Sequence, residues 1–204
     1  DSSNLTAANF AGQNLSSASL QSATLTGANL SLANLTNANL SSANLTGANL
    51  SQADVTGARI EQANLGSTGI TRDQLESTGS YRDHYLPNIG LSGSELSGVN
   101  LSGQYLTGAN FASAKLTGAD FTNANLSSAN LFGANLSQAN LTGATIDYAN
   151  FNSSGITRDQ LESTASYQYL NLPNIGLANS DLSGVNLAGQ NLTSANFTLS
   201  LIHI

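Results

Sequence analysis

The chain has 204 residues, a net charge of −7, only 8% charged residues, and no cysteine, methionine or tryptophan. That length suits one domain or two small ones. Five basic residues are too few for a nucleic-acid footprint, the lack of thiols excludes disulfides and cysteine-ligated metal, and no apolar run approaches the ~20 residues that span a bilayer.

From the first residues onward the chain keeps a beat of five. Large apolar residues stand at Leu5, Phe10, Leu15, Leu20, Leu25, Leu30, Leu35, Leu40, Leu45 and Leu50, and on to Ile70. Alanine usually stands two before each, with Asn between, so the unit reads A-N-L-[S/T]-[G/S/x]. A period of five forms no face on a helix and puts successive leucines on opposite faces of a straight strand. It suits a chain that points a small and a large apolar residue inward, two apart, and then turns a corner. Five residues then make one side of a polygonal coil, with glycines such as Gly27, Gly47, Gly57, Gly108 and Gly118 at its corners.

This unit, repeated more than thirty times in register, strongly resembles the pentapeptide-repeat family. The resemblance implies an all-β fold, a right-handed quadrilateral β-helix with about twenty residues per coil and about eight coils. Its core ladder would include Leu25, Leu30, Leu35, Leu40, Leu45, Leu50, Phe111, Phe121, Leu126, Leu131, Leu136 and Phe151. The family's roles are diverse, so the resemblance speaks to fold more than to activity.

The beat breaks after Ile70, resumes from Leu91 to Ile156, breaks again, and returns from Leu177 to Phe197. The breaks, residues 71–90 and 157–176, are copies: Ile70–Phe111 and Ile156–Phe197 align without a gap and share 31 of 42 residues at a spacing of 86. Thr71 with Gln74, and Thr157 with Gln160, have capping-box spacing, which predicts a short helix from about Arg72 to Thr78 that Gly79 ends. Tyr81 to Leu86 is expected to run back extended into a turn at Pro87, or Pro173 in the second copy. Leu75 and Leu161 are expected to anchor each helix against the coil. Counted this way, the inserts lie fourteen sides apart if each hangs from a corner, fifteen if each spans a side. The whole chain reads as a single solenoid, residues 1–204, sliced from a longer array. Residues 199–204 leave the pattern and read as an off-pattern, non-native tail.

No catalytic constellation stands out. His84 faces Leu170 in the second copy, and His203 lies in the tail. Asp73 with Glu76, and Asp159 with Glu162, could form acid–base pairs, but a helix start explains acids there. Tyr81, Tyr85, Tyr167 and Tyr169 are expected to pack their loops onto the coil, with docking as the alternative. No catalysis, cofactor or metal is expected. The sequence instead suggests a structural or interaction rod that stacks on itself head to tail, as an extracellular filament or surface stalk. Two alternatives are DNA-mimic binding of a gyrase-type topoisomerase, a role known in the family, and an ice- or glycan-binding surface of Ser/Thr/Asn rows.

Overall fold

A regular pentad places all five of its backbone N–H groups, as the side around Leu35 shows. Leu35 donates to the carbonyl of Asp54 at 2.7 Å, Asn37 to Thr56 at 2.9 Å, and Asn39 back to Ala18 at 2.9 Å. Ala38 closes the corner by donating to Leu35 at 2.9 Å. The fifth N–H, on Thr36, donates to the side-chain oxygen of Asn34 at 3.0 Å. The asparagine before each large residue thus supplies the one acceptor that neighbouring backbone does not, which is why that position favours Asn. Asp fills the role at Asp54 and Asp120.

The corners have positive φ at their third residue, as at Ala7, Ser17, Gly27 and Gly47. That geometry is the demand of a type II turn, which glycine meets without steric cost. Sides pair in parallel with the sides twenty residues on, as in Asn9↔Asn29 and Asn29↔Asn49, so four pentads make a turn.

The computed structural model describes residues 3–202, divided into two compact units, Asp1–Glu95 and Leu96–Ile204. In the first unit Leu25, Leu30, Leu35, Leu40, Leu45 and Leu50 are buried with their partner alanines. In the second, Phe111, Phe121, Leu126, Leu131, Leu136 and Phe151 are buried in the same way. Phe111 and Phe121 belong to opposite sides of one turn. Their rings meet edge to face across it, centroids 5.9 Å apart at 83°, the arrangement aromatic quadrupoles favour.

Each unit contains one insert turn. The pairing Asn64↔Gly90, like Asn150↔Gly176, spans 26 residues instead of twenty. The extra six lie at one corner, between two short helices and the returning chain. In the first unit α1 (Arg72–Ser77) and α2 (Gly79–Arg82) occupy this stretch. In the second, α3 (Arg158–Glu162) and α4 (Ala165–Gln168) do so. This differs from the single helix that the sequence suggests. Thr78 takes an extended conformation, φ −66° and ψ 154°, which closes α1, and its hydroxyl then caps α2. Gly79 therefore opens a helix instead of ending one, and Tyr81 lies in that helix, not in an extended return.

The side count also changes. Leu75 and Leu86 are both fully buried, so α1 and the return each fill a core position. From Ile70 to Leu91 the first insert thus makes three sides, where the sequence suggests one or two. At the other end, Leu201 pairs in parallel with Asp181 and donates to Ser180 at 3.0 Å. Leu199–Ile202 thus follow the coil path: Ile202 keeps the five-residue beat from Phe197, and Leu201, standing where Asn usually does, pairs through backbone alone. His203 lies outside the described residues.

Candidate functional site at the insert corners

The insert begins with a cap. Gln74 accepts the Thr71 N–H at 3.0 Å and donates its own N–H to the Thr71 hydroxyl at 3.2 Å. Its amide then donates to the carbonyls of Leu50 and Ala53, at 2.8 and 2.9 Å, on the turn beneath. Gln160 does the same with Thr157, Leu136 and Ala139. Leu75 and Leu161 are fully buried, and the Pro87 and Pro173 carbonyls accept from Gln62 and Tyr148, each at 3.0 Å.

A second tie lies at α2. The Ser80 hydroxyl accepts the Ile60 N–H at 2.8 Å and donates to Glu61 at 2.6 Å. Glu61 also accepts from Ser41 at 2.8 Å and pairs with the Arg59 guanidinium at 2.5 Å. Burial works to raise the Glu61 pKa, but the bonds from Ser80, its own backbone, Ser41 and Arg59 together hold it below the ordinary value. The second copy repeats the serine–carboxylate pair with Ser166 and Asp147, 2.5 Å apart. Both serines are buried and spend their hydroxyls on structure, so they are held as ties and not as nucleophiles.

Asp73 and Asp159 at the helix starts are engaged and exposed, and Glu76 and Glu162 are half-buried. Asp73 pairs with Arg72 at 3.3 Å, and Arg158 pairs with Asp159 at 2.9 Å and Glu162 at 3.8 Å. The tyrosines divide into two kinds. Tyr81 and Tyr167 are half-buried, and Tyr167 donates to the Asn186 carbonyl at 2.5 Å. Burial and a neighbouring carboxylate, Glu76 or Glu162, raise their pKa values. Tyr85 is half-exposed, and Tyr169 stands in solvent at 81% exposure. His84 is exposed, with φ +55°.

Beside the first insert is an open cleft of about 410 Å³, lined by Arg59, Glu61, Ser80, Asp83 and Tyr85. Sequence reasoning did not single out Arg59, Glu61 or Asp83. The available signal was the placement of charge. Residues 2–53 carry none, whereas nine of the seventeen charged residues fall between Asp54 and Glu95. Among the described residues no His, Cys, Asp and Glu group is arranged to hold a metal ion, and no helix is long and apolar enough to cross a membrane.

The model of the family described as pentapeptide repeats matches eight copies, over residues 3–41, 28–66, 91–123, 124–154 and 177–199. The chain belongs to the pentapeptide-repeat family. The family's quadrilateral β-helix accords with the four-sided turns described above. The two inserts fall in the gaps between matched segments. No curated protein matches the sequence.

Among solved pentapeptide-repeat structures, one similar chain is HetL, involved in heterocyst differentiation regulation, from the cyanobacterium Nostoc sp. Strain PCC 7120. It is 23% identical, with 98% of this chain and 86% of that chain covered and a TM-score of 0.46. A protein of the Arabidopsis thaliana thylakoid lumen is 24% identical over 78% of this chain and 72% of that one, TM-score 0.33. QnrB1, a plasmid-mediated fluoroquinolone resistance protein, is 16% identical over 97% and 86%, TM-score 0.28.

Proposed function

We propose that this pentapeptide-repeat protein is a non-catalytic interaction scaffold whose binding elements are the insert corners. The observation that carries this reading is the gathering of charge and tyrosine there. Four of the six tyrosines lie in the inserts, while the coil sides over residues 3–53 present, apart from the exposed Leu32, Asn, Ser, Thr, Gln and small residues around their core. Tyrosine and arginine are the residues that dominate protein recognition. A regular coil that holds such side chains on short, tied helices suits binding more than turnover.

The test is a variant in which residues 71–90 and 157–176 are each replaced by fourteen pentad residues, making each 26-residue turn a regular one. Binding of the full chain to an array of short peptides of varied charge and hydropathy is compared with that of the variant. Loss of binding with the β-helix intact supports the scaffold reading, and undiminished binding sinks it.

Head-to-tail self-association, as in an extracellular filament or stalk, is a further part of the proposal. Its support is the pairing within the coil, as in Asn9↔Asn29, which uses backbone alone and which a second copy would continue between chains. Sedimentation that stays monomeric at high concentration counts against it. The DNA-mimic alternative draws on the net charge of −7. Continuous acidic rows would favour it, and here the acids gather around the inserts instead.

A further inference from the structure

The two inserts diverge mainly in one place. Of the eleven differences in 42 aligned positions, four are consecutive: Arg82-Asp83-His84-Tyr85 against Gln168-Tyr169-Leu170-Asn171. No other run of differences exceeds two.

The backbone beneath this run is the same in both copies. His84 and Leu170 have φ of +55° and +58°. Asp83 donates to Gly79 and Tyr169 to Ala165, each at 2.9 Å, and His84 donates to Tyr81 and Leu170 to Tyr167, each at 3.0 Å. The frame is kept bond for bond while every side chain on it is exchanged. Folding alone does not dictate these side chains: Asn or Gly suits a positive φ better than Leu170, and Tyr169 is 81% exposed.

In the first copy the exchanged residues build a site. Asp83 and Tyr85 complete the cleft whose other walls are Arg59, Glu61 and Ser80. The Arg59 charge is met by Glu61 at 2.5 Å, so the Asp83 carboxylate leaves the cleft net negative. Tyr85, whose ring is half-exposed, lines the same cleft. A carboxylate with an aromatic face suits a cation, through ion pairing and the ring quadrupole. In the second copy Tyr169 stands for Asp83 and Asn171 for Tyr85, and the Asn171 amide donates to Asp147 at 3.2 Å. There the corresponding carboxylate is covered and the second one is gone.

We propose that the cleft formed by Asp83, Tyr85, Arg59 and Glu61 binds a basic side chain, lysine or arginine, of a protein partner. The second insert is the same element with this specificity removed. The proposal rests on the scaffold reading above and narrows it to one site and one ligand class.

The probes are blocked tripeptides Gly-Lys-Gly and Gly-Arg-Gly, with Gly-norleucine-Gly and Gly-Glu-Gly as controls, titrated into the full chain and followed by NMR at the Tyr85 ring. A saturable shift is expected with the basic peptides, at least about tenfold tighter than with norleucine, as a desolvated cation–ring contact with a carboxylate supports. The double variant D83Y/Y85N carries residues that the second copy already accommodates on this backbone; read by isothermal titration calorimetry, because its reporter ring is gone, it is expected to show no binding of the basic peptides. The single variant D83N is expected to weaken it while leaving the melting temperature unchanged. Equal binding of norleucine, preference for the glutamate peptide, a silent Tyr85, or full binding by D83Y/Y85N each overturns the assignment. If array peptides still require the inserts while Tyr85 is silent, the scaffold reading stands and only the cation site falls.

Discussion

The side-chain amide of Gln74 donates to the carbonyl of Leu50 at 2.8 Å, across 24 residues of chain. The same amide reaches Ala53 at 2.9 Å, while its oxygen holds the Thr71 N–H. One side chain thus starts a helix and supplies the donor that a regular side of coil would have offered to the Ala53 carbonyl of the turn beneath. Removing it leaves that carbonyl without a partner, at about 1–3 kcal/mol, while Leu50 keeps the Ala53 N–H at 3.0 Å. Gln74→Ala is expected to lower the urea midpoint and speed hydrogen exchange in α1. Gln74→Glu keeps the cap acceptor but offers no donor to Leu50 or Ala53, so it should destabilise nearly as much. A wild-type midpoint in both variants would remove this role.

Asn34 offers a gentler contrast. Its side-chain oxygen accepts from the Thr36 backbone at 3.0 Å and from the Thr36 hydroxyl at 2.6 Å. Asn34→Ala is expected to cost about 1 kcal/mol. Asn34→Asp, which keeps the acceptor as Asp54 does toward Thr56, is expected to lie close to wild type. Denaturation midpoints of the two variants measure the difference directly.

These two residues show what was legible in the sequence and what was not. The leucine–alanine pair is visible because burial leaves a strict apolar period, and Thr71 with Gln74 is visible because a capping box is a local pattern. The further reach of Gln74 to Leu50 and Ala53 is not local, and no spacing announces it. The function of asparagine was hidden for another reason: its period is plain, but only the full accounting of N–H groups shows that it completes each corner. The second helix escaped because Thr78 looks like a continuation of α1 until its extended backbone is seen. The cleft joins Arg59 and Glu61, on a coil side, to Asp83 and Tyr85, on the insert, and the 26-residue turn alone brings them together. Its sequence trace is the run of four exchanged residues between the copies.

The return of the insert gives a steric prediction. Gly176 lies over Asn150 and Asn152, and a β-carbon there would come within 2.7 and 2.9 Å of their side-chain oxygens. The Asn152 oxygen already accepts from Ala178 at 2.7 Å, so it cannot give way freely. Gly176→Ala is expected to destabilise the second unit by about 1–3 kcal/mol, the range for overpacking. Thermal unfolding compared with an exposed corner variant such as Ser183→Ala checks this, and equal melting temperatures would contradict it.

Glu61 makes the stability of the first insert depend on pH, and the sign follows from its depressed pKa. A carboxyl held below its usual 4.5 in the folded chain stabilises the fold fully above that value. The contribution is lost as pH falls through the lower, folded pKa. Protonation removes the charge that Arg59 pairs with and weakens the bonds from Ser41 and Ser80. The exposed part of the Arg59 pair is screened and contributes little, so most of the effect comes from the serine bonds. Wild type is therefore expected to lose stability more steeply than Glu61→Gln as pH falls below 4.5, with the gap between them constant from pH 5 to 7. Urea midpoints across that range read the gap, and parallel curves at every pH would show that Glu61 titrates without holding the insert.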